Sequence, residues 1–337
     1  MQCDFLIPSL FSAPTSYAIK DSAPTLAALL ARGTLVTENA DSTEAWLARR
    51  FGIESASSFA AIAWIGEQQG NLGANHVLRA DPVHLSVNRD RVVLLDASQL
   101  EISPDEADAL CKSLQAHFAG DGLDFNVTHP ERWYIRSENP ILLHTHPVSA
   151  VRGRNVASYW FEGADRAIWQ NRLSEMQMLL HAHPVNEARE EAGRLPINGV
   201  WFWGAGVKRN DLTQTYGHII AHDPLLAGFA LLTRAKYFDT AAFHADFLPL
   251  APLNRTLIVL SELDSFAAYG EWDAWREALA ALDKAWFKPT RTALRNGALS
   301  ALTINAPDKN RGAKITTTRY DLLKFWRREF IVEPCPR

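Results

Sequence analysis

Two pairs of histidines have a spacing that suits metal binding. His144 and His146 form the first pair, and His181 and His183 form the second. On a strand this spacing places both imidazoles on one face, where they can bind zinc, whereas on a helix it points them apart. Neither pair has a third ligand at a zinc-site spacing. We therefore expect helix-end or loop histidines, and we keep a zinc hydrolase built on both pairs as a distant alternative.

A second polar cluster stands at the start of a predicted strand. Arg79, Asp81 and His84 fall within the sequence RADPVH. Arg79 suits a bidentate contact with a phosphate or a carboxylate, but a structural ion pair with Asp81 explains the same residues equally well. Arg152 and Arg154 leave two similar alternatives, an anion site or a solvated loop, and we favour the solvated loop.

A third cluster of candidates surrounds the apolar strand predicted for Gly199–Trp203. A buried Asn must have its amide satisfied, so Asn186 and Asn198 are suited to hold a loop or a ligand. Two glycines after the strand permit a tight turn at its carboxyl end, where ligands of open α/β sheets bind. Trp201 and Trp203 are predicted to pack in the core. The ligand-contacting candidates in this cluster are His183, Asn186, Arg189, Asn198, Gly204 and Gly206.

The block HPVNEAREEAGRLPINGVWFWGAG, from His183 to Gly206, resembles the archaeal-type cofactor-independent phosphoglycerate mutases. In that family a His-Pro-x-Asn helix precedes an Asn-x-x-Trp-x-Trp-Gly-x-Gly strand and turn. APTLAALLARG, near residue 23, is similar to a helix of the wider alkaline phosphatase superfamily. The segments 78–85 and 171–186 are similar to a bacterial branch named regulatory protein RpfE.

The resemblance implies an alkaline-phosphatase-like α/β fold, in which a mostly parallel sheet is flanked by helices and carries a small α+β insert. It also implies two divalent metal ions and a serine nucleophile that passes on a phosphoryl group. Two adjacent metal ions need roughly six Asp or His ligands at the carboxyl ends of strands.

The sequence departs from the family pattern at three of these strand ends. The Asp-Gly pair expected after the first strand is replaced by Pro8-Ser9, and Asp4 lies before that strand end. After Thr256–Leu260, Glu262 and Asp264 are present without the histidine that follows in the family. Asn305-Ala306 replaces an Asp-His pair, and Asn lacks the charge that offsets dehydration of a metal ion. The serine candidates for a nucleophile are Ser9, Ser42, Ser55 and Ser58, none of them in a distinctive motif.

Two hypotheses of function follow from the resemblance and the departures. The first is a mutase-like protein with an eroded metal site that needs no cofactor, acts as a non-catalytic binding or regulatory protein, and binds a small phosphorylated or carboxylate ligand. The alternative is an active metal-dependent phosphomutase or phosphohydrolase that holds Mn, Mg or Zn through other ligands. Those ligands would be Asp81, His84, Asp223 and Asp264.

The predicted elements alternate between strands and helices. Continuous apolar runs, including Gly199–Trp203, Thr256–Leu260 and Ala298–Ile304, are linked to amphipathic helices, which is typical of a mostly parallel sheet covered on both faces. The pattern of residues 78–150 predicts two strands, a helix and two further strands, in the order ββαββ. We therefore predict an α/β domain of residues 1–77 and 151–337 and an inserted subdomain of residues 78–150.

Composition limits the remaining function classes. The 337 residues are 47% hydrophobic and include 34 Lys plus Arg against 38 Asp plus Glu, without a basic run, so we expect no nucleic-acid partner. Three widely spaced cysteines give no disulfide framework, and no apolar stretch is long enough to span a bilayer. We expect a cytoplasmic protein with no membrane partner, and the sequence does not reveal its oligomeric state.

Overall fold

The computed structural model describes residues 2–14, 16–38, 42–53, 57–68, 72, 75–88, 91–240, 255–308 and 312–327. The chain divides into two compact units. Unit 1 contains residues 1–52 and 212–337, and unit 2 contains residues 53–211.

Unit 1 contains a seven-stranded sheet. Its strands are β1 (Gln2–Leu6), β2 (Thr34–Glu38), β8 (His218–Ala221), β9 (Lys236–Asp239), β10 (Thr256–Val259), β11 (Ala301–Ala306) and β12 (Gly312–Thr318). Their order in the sheet is β2-β12-β11-β1-β10-β8-β9. The five strands from β11 to β9 are parallel, and β12 and β2 add two antiparallel strands at one edge.

Helices cover this sheet and bury one of its faces in a core of apolar side chains. Phe5 of the central strand β1 contacts Trp286 and Phe287, with ring centroids 6.3 and 5.3 Å away. The helices of unit 1 are α1 (Ile19–Ser22), α2 (Pro24–Arg32), α3 (Thr43–Phe51), α9 (Pro224–Thr233), α10 (Glu262–Tyr269), α11 (Trp272–Leu282) and α12 (Lys288–Arg295). A π-helical turn, Asp283–Phe287, joins α11 to α12. The predicted fold class, a mostly parallel sheet flanked by helices with a second α+β unit, is confirmed.

Helix α2 obtains its N-terminal cap from a distant part of the chain. Its own N-cap residue, Ala23, has no side chain that can accept a hydrogen bond. Asp283 is buried, and its Oδ1 accepts a hydrogen bond from Leu26 N at 2.7 Å while its Oδ2 lies 3.4 Å from Thr25 N. A carboxylate at a helix N-terminus satisfies unpaired N–H groups and interacts favourably with the helix dipole. This contact therefore fixes α2 against the π-helical turn.

Unit 2 is built around the 13-residue strand β3 (His76–Asn88), which pairs with three neighbours. The other strands are β4 (Arg91–Leu95), β5 (Leu123–His129), β6 (Arg132–Ser137) and β7 (Gly199–Gly206), and all pairings in this sheet are antiparallel. The helices are α4 (Phe59–Gln68), α5 (Pro104–His117), α6 (Val148–Val151), α7 (Arg166–His181) and α8 (Pro184–Glu191).

Unit 2 covers a longer stretch of sequence than the insert predicted for residues 78–150. The predicted ββαββ order is present as β3, β4, α5, β5 and β6, but unit 2 extends from residue 53 to 211. The additional elements α4, α7 and β7 belong to the same core, because β7 pairs with β3 and both helices pack on β7. The pattern predicts the ββαββ order but not the packing of α4, α7 and β7 against it, which depends on contacts between residues far apart in sequence.

The assignment of Gly199–Trp203 to the parallel sheet is wrong. Strand β7 belongs to the antiparallel sheet of unit 2, and its residues from Gly199 to Ala205 are buried. Its side chains lack an alternating pattern because α4 and α7 pack on it. Burial on both faces produces a continuous apolar run in either kind of sheet.

None of the helices in the described residues is long and apolar enough to cross a membrane.

The cap on α2 yields a stability prediction. Asp283→Ala should lower the free energy of unfolding by about 1–3 kcal/mol, since it leaves buried N–H groups unpaired. Asp283→Asn should cost less, because its amide oxygen keeps one of the two acceptors, while the charge and the second acceptor are lost. Urea denaturation measures both.

Asp273→Ala is the matched control, since Asp273 is an exposed acid on α11 with an ion pair to Arg276. Its effect should stay within about 0.5 kcal/mol. Equal effects of Asp283→Ala and Asp273→Ala would contradict the assignment of Asp283 as a cap.

Candidate functional site

The carboxyl end of the central strand β1 leads into a strained serine. Ser9 has a φ of 58°, in the left-handed region that costs a residue with a side chain about 1–2 kcal/mol. Its Oγ donates a hydrogen bond to Asp264 Oδ1 at 2.7 Å, and its carbonyl accepts one from Trp275 Nε1 at 3.3 Å. The loop after β1 is thus tied to α10 and α11.

A second serine–aspartate bond joins the loops after β1 and β11. Ser12 Oγ donates to Asp308 Oδ2 at 3.1 Å. Asn305, at the end of β11, is 1% exposed and donates its amide to Phe5 O at 3.1 Å. No hydrogen-bond partner of Asn305 Oδ1 is found in the described part of the chain. At this end of β11, the amide oxygen of Asn305 is thus a buried polar atom without a hydrogen-bond partner among the described residues.

The acids at the other strand ends also have specific partners. Asp223 N-caps α9 by accepting a hydrogen bond from Leu225 N at 2.7 Å. His222 Nδ1 lies 2.9 Å from Asp239 Oδ2, and both side chains are exposed. Glu262 is an exposed residue, yet desolvation by the surrounding protein raises the pKa of its carboxyl, and nearby His222 opposes the shift.

Asp4, the acid before the end of β1, is buried and forms an ion pair within unit 1. Its Oδ2 accepts a hydrogen bond from Tyr216 OH at 3.0 Å and lies 2.6 Å from Arg255 Nη2. Among the residues the structure describes, no group of three or more His, Cys, Asp or Glu side chains is arranged to hold a metal ion.

Four of the residues that we predict to contact a ligand are part of the bonding around one loop, residues 195–198, which leads into β7. Arg189 Nε donates to Leu195 O at 2.8 Å, and His84 Nδ1 lies 2.9 Å from Pro196 O. Asn186 donates to the carbonyl of Ile197 at 2.9 Å and accepts from its N–H at 2.7 Å. Asn198 is itself part of the loop and bonds to both backbone groups of Leu85, at 2.7 and 3.1 Å. We call this arrangement the 195–198 clamp.

The guanidinium of Arg189 extends the clamp to α5. Its Nη1 lies 2.9 Å from Glu106 Oε2, and its Nη2 donates to Leu100 O. Arg194 pairs with the same Glu106 carboxylate at 2.9 Å. Glu106 also completes the capping box of α5, which Ser103 begins. Each polar group of this network therefore has a structural partner.

His183 uses both ring nitrogens to hold α8. Nδ1 accepts a hydrogen bond from Val185 N at 3.2 Å as the N-cap of α8, and Nε2 lies 2.9 Å from Ser113 Oγ. His181 is exposed in the last turn of α7. His144 and His146 are exposed, and a backbone bridge joins His144 to Glu162. The four histidines occupy the helix-end and loop positions that we favoured.

Two glycines allow the start of α4 to approach the end of β7. Gly204 has a φ of 70°, and a Cβ there would lie 2.8 Å from Ala60 N. Gly206 has a φ of 156°, and a Cβ there would lie 2.5 Å from Ser58 Oγ. Ser58 is itself buried and donates its N–H to Ala205 O at 2.9 Å. The glycines therefore serve close backbone packing.

Arg79 and Asp81 form a buried ion pair inside unit 2. Arg79 Nε lies 2.8 Å from Asp81 Oδ1, and Trp203 Nε1 donates to the other carboxylate oxygen at 2.6 Å. Tyr134 OH accepts from Arg79 Nη1 at 3.1 Å and donates to Glu67 at 2.8 Å. Burial raises the pKa of Asp81, and Arg79 and Trp203 oppose the shift. The structural ion pair, one of the two alternatives for these residues, is present.

The remaining candidates lie in separate places. Ser42 N-caps α3 through Ala45 N, and Ser55 lies outside the described residues. Arg152 pairs with Asp96 at 3.3 Å, and Arg154 donates to Tyr159 OH at 3.3 Å. Sequence reasoning did not identify Ser12, Asp308, His222, Asp239, Glu67 or Tyr134. Only their positions beside strand ends and polar neighbours could have indicated them.

Comparison with known proteins gives relatives in one family of enzymes. No protein-family profile matches the chain. The 2,3-bisphosphoglycerate-independent phosphoglycerate mutase of Methanosarcina mazei is 28% identical over 164 residues, which cover 46% of this chain and 41% of the relative. That of Methanosarcina barkeri is 26% identical over 143 residues, which cover 40% and 36%. The matched region thus spans about two fifths of each curated relative.

Two solved structures align with most of the chain. The cofactor-independent phosphoglycerate mutase of Thermoplasma acidophilum is 16% identical with a TM-score of 0.46, covering 94% of this chain and 89% of that one. The PH0037 protein of Pyrococcus horikoshii is 12% identical with a TM-score of 0.54, covering 94% and 87%. At this identity the second likeness shows a shared fold alone. The resemblance to cofactor-independent phosphoglycerate mutases is confirmed as a similarity, and the RpfE-type branch stays a prediction.

The cap at His183 predicts a pH dependence of stability. Desolvation lowers the pKa of His183 below the ordinary histidine value of 6.5, and Glu187 opposes the shift. The unfolded chain therefore binds the proton more readily, so this contribution to stability is complete above pH 6.5 and is lost as the pH falls through the folded pKa. His183→Asn keeps a capping oxygen and cannot titrate.

We expect the stability advantage of the wild type over His183→Asn to shrink between pH 8 and pH 5.5, by less than about 1.4 kcal/mol because the ring is partly exposed. Urea denaturation of both proteins at each pH measures it. His76 and His218, whose pKa values are also lowered, are present in both proteins and cancel. A difference that is constant with pH would rule out titration at this cap.

Proposed function

We propose that this chain is a phosphoglycerate mutase-like protein that binds a small phosphorylated or carboxylate ligand without two-metal phosphoryl transfer, in a binding or regulatory role. One observation carries the proposal. Asp264, the acid that remains at a strand end where the family places a metal ligand, accepts a hydrogen bond from Ser9 at 2.7 Å. A neutral hydroxyl donor thus occupies one oxygen of that carboxylate.

The backbone of Ser9 supports the proposal. The family has an Asp-Gly pair at Pro8-Ser9, and a φ of 58° is a conformation that glycine adopts without strain. The turn has kept a shape that suits glycine, while proline and serine occupy it. The change removes an acid at position 8 and adds a hydroxyl at position 9 that reaches Asp264.

The described residues at these strand ends do not fit two divalent metal ions. A dehydrated divalent cation needs several charged oxygen ligands or imidazoles. Pro8 offers no ligand, and the buried Asn305 offers one neutral oxygen. Asp264 is bound to Ser9, and Asp308 is bound to Ser12.

The alternative of an enzyme with rebuilt ligands receives less support. Asp81 is neutralised by Arg79, and His84 contacts Pro196 O. Asp223 caps α9, and Asp264 accepts the bond from Ser9. All four residues have structural partners, in two different units of the chain.

Interconversion of 3-phosphoglycerate and 2-phosphoglycerate tests the proposal. We expect no turnover by the wild type with Mn²⁺ or Mg²⁺, while calorimetry detects binding of a phosphoglycerate without added metal. A metal-dependent kcat in the ordinary range of about 1–1,000 per second would overturn it. The assay needs a cofactor-independent mutase as a positive control.

A restored variant sharpens the same test. Pro8→Asp with Ser9→Gly and Asn305→Asp returns acids to two strand ends and should bind Mn²⁺ more tightly than the wild type. Ser9→Gly alone is the matched control, since it removes the hydroxyl without adding a charge. Equal Mn²⁺ affinity of the triple variant and this control would contradict the assignment of these positions.

A further inference from the structure

The helical segment from the π-helical turn to the end of α12 carries four cations on one face. Their spacings of four, three and four residues follow the period of a helix, so the side chains project on the same side. All four residues are exposed, whereas Trp286, Phe287 and Leu294 of the same segment are buried. We call this set the basic stripe, and its members are Lys284, Lys288, Arg291 and Arg295.

The charges of the basic stripe are not balanced by acids. In the part of the chain that the structure describes, none of the four side chains forms an ion pair. The sequence 284–307 contains no Asp or Glu. Like charges three or four residues apart destabilise a helix, and a helix face that only contacts solvent usually alternates the two signs. A bound anion would remove this repulsion.

An exposed aromatic ring lies near one end of the basic stripe. Gly297 follows α12, and a Cβ added to it would lie 3.9 Å from Arg319 Nη1, so Arg319 is a fifth cation at this end. The Cζ of Arg319 lies over the ring of Tyr320, 4.6 Å from its centroid. Tyr320 is 64% exposed. The stripe therefore leads to an aromatic ring beside a further cation.

We propose that the basic stripe binds a single strand of nucleic acid. Phosphates of the strand pair with the four cations, and a base at the end of the bound segment stacks on Tyr320. Proteins that bind single strands without sequence preference combine these two features, a positively charged track for the backbone and an aromatic ring for a base.

Other anionic partners match the helix less well. Helices that bind a membrane surface place large apolar side chains opposite or between their cations, and a protein interface needs an apolar centre. Between Lys284 and Arg295, the exposed residues other than the cations are Ala285 and Thr292. The helix face thus supplies charge without apolar area, which is what a phosphate backbone requires.

The net charge of the chain does not prevent this contact. Composition alone predicts no nucleic-acid partner, because 34 Lys plus Arg are spread along the chain without a run and are balanced by 38 Asp plus Glu. Salt screens charges beyond about 8 Å at physiological ionic strength, so a bound strand responds mainly to the nearest side chains. The four cations are separated in sequence, and the helix brings them together.

Fluorescence anisotropy of a labelled oligothymidylate of about 12 nucleotides tests the proposal with the full chain. We expect binding with a Kd on the order of micromolar at low salt. A plot of log Kd against log salt concentration should have a slope of about 3, because each of four phosphate contacts to a single strand contributes about 0.7.

The double variant Lys288→Gln with Arg291→Gln should raise the Kd by about 10-fold and lower the slope by about 1.4. It also relieves the like-charge pairs of the stripe, so its melting temperature should not fall. Lys20→Gln with Lys236→Gln is the matched control, since it removes two exposed cations of the same unit and changes the net charge equally. The control should keep the Kd and the slope of the wild type.

Tyr320→Ala tests the aromatic ring separately. It should raise the Kd several-fold without changing the slope, because stacking of a base releases no counter-ions. Tyr320→Phe keeps the ring and should bind like the wild type. Inorganic polyphosphate has charges but no bases, so Tyr320→Ala should leave its affinity unchanged.

Three results would overturn the proposal. The first is a wild type that does not bind the oligonucleotide at low salt, and the second is an equal loss of affinity in the stripe variant and its matched control. The third is stripe-dependent binding to phosphatidylserine vesicles or polyglutamate that is tighter than binding to the oligonucleotide. The vesicles are a necessary comparison because Phe325 and Trp326, shortly after Tyr320, are also exposed.

Discussion

The hydrogen bond from Ser9 to Asp264 is the contact that most directly determines the arrangement of polar groups at the carboxyl ends of the parallel strands. It connects the loop after the central strand to the first turn of α10, across a distance of 255 residues in sequence. A hydroxyl that donates to a carboxylate satisfies one lone pair of one carboxylate oxygen. Together with the bond from Ser12 to Asp308, it links the loops that follow three strands, β1, β10 and β11.

The most family-like part of the sequence has a different task. His84, Asn186 and Arg189 bond to the backbone of residues 195–197, and Asn198 bonds to the backbone of Leu85, so that the chain can enter the buried strand β7. Buried N–H and C=O groups left without partners are costly, which explains why these polar residues are needed in a largely apolar block. The similarity of the block from His183 to Gly206 to the mutase family is therefore much stronger evidence for a shared fold than for a shared chemical reaction.

The sequence predicted what depends on local patterning. The ββαββ order of residues 78–150 is present, because the alternation and turn signals that indicate it act over a few residues. Strands β2 and β12 were missed, since β2 is exposed on both faces and has no alternation. The cap on α2 could not be predicted, as Asp283 lies far from it in sequence.

The sequence identified candidate residues by their chemical type, but it did not identify the groups to which they bond. Asn186 and Asn198 were correctly marked as amides that need satisfaction, yet sequence alone could not separate a loop from a ligand as what satisfies them. Asp264 was placed at a strand end, while its bond to Ser9 requires the left-handed turn, which no residue type at that position signals.

Our proposal that these strand ends are closed by side-chain hydrogen bonds and do not hold two metal ions is tested most directly by a crystal soaked in Mn²⁺. An anomalous difference map at the manganese edge would locate any ion. The account predicts no peak within bonding distance of Asp264, with Ser9 still bound to its carboxylate. Two peaks coordinated by Asp264 and its neighbouring strand ends would contradict it.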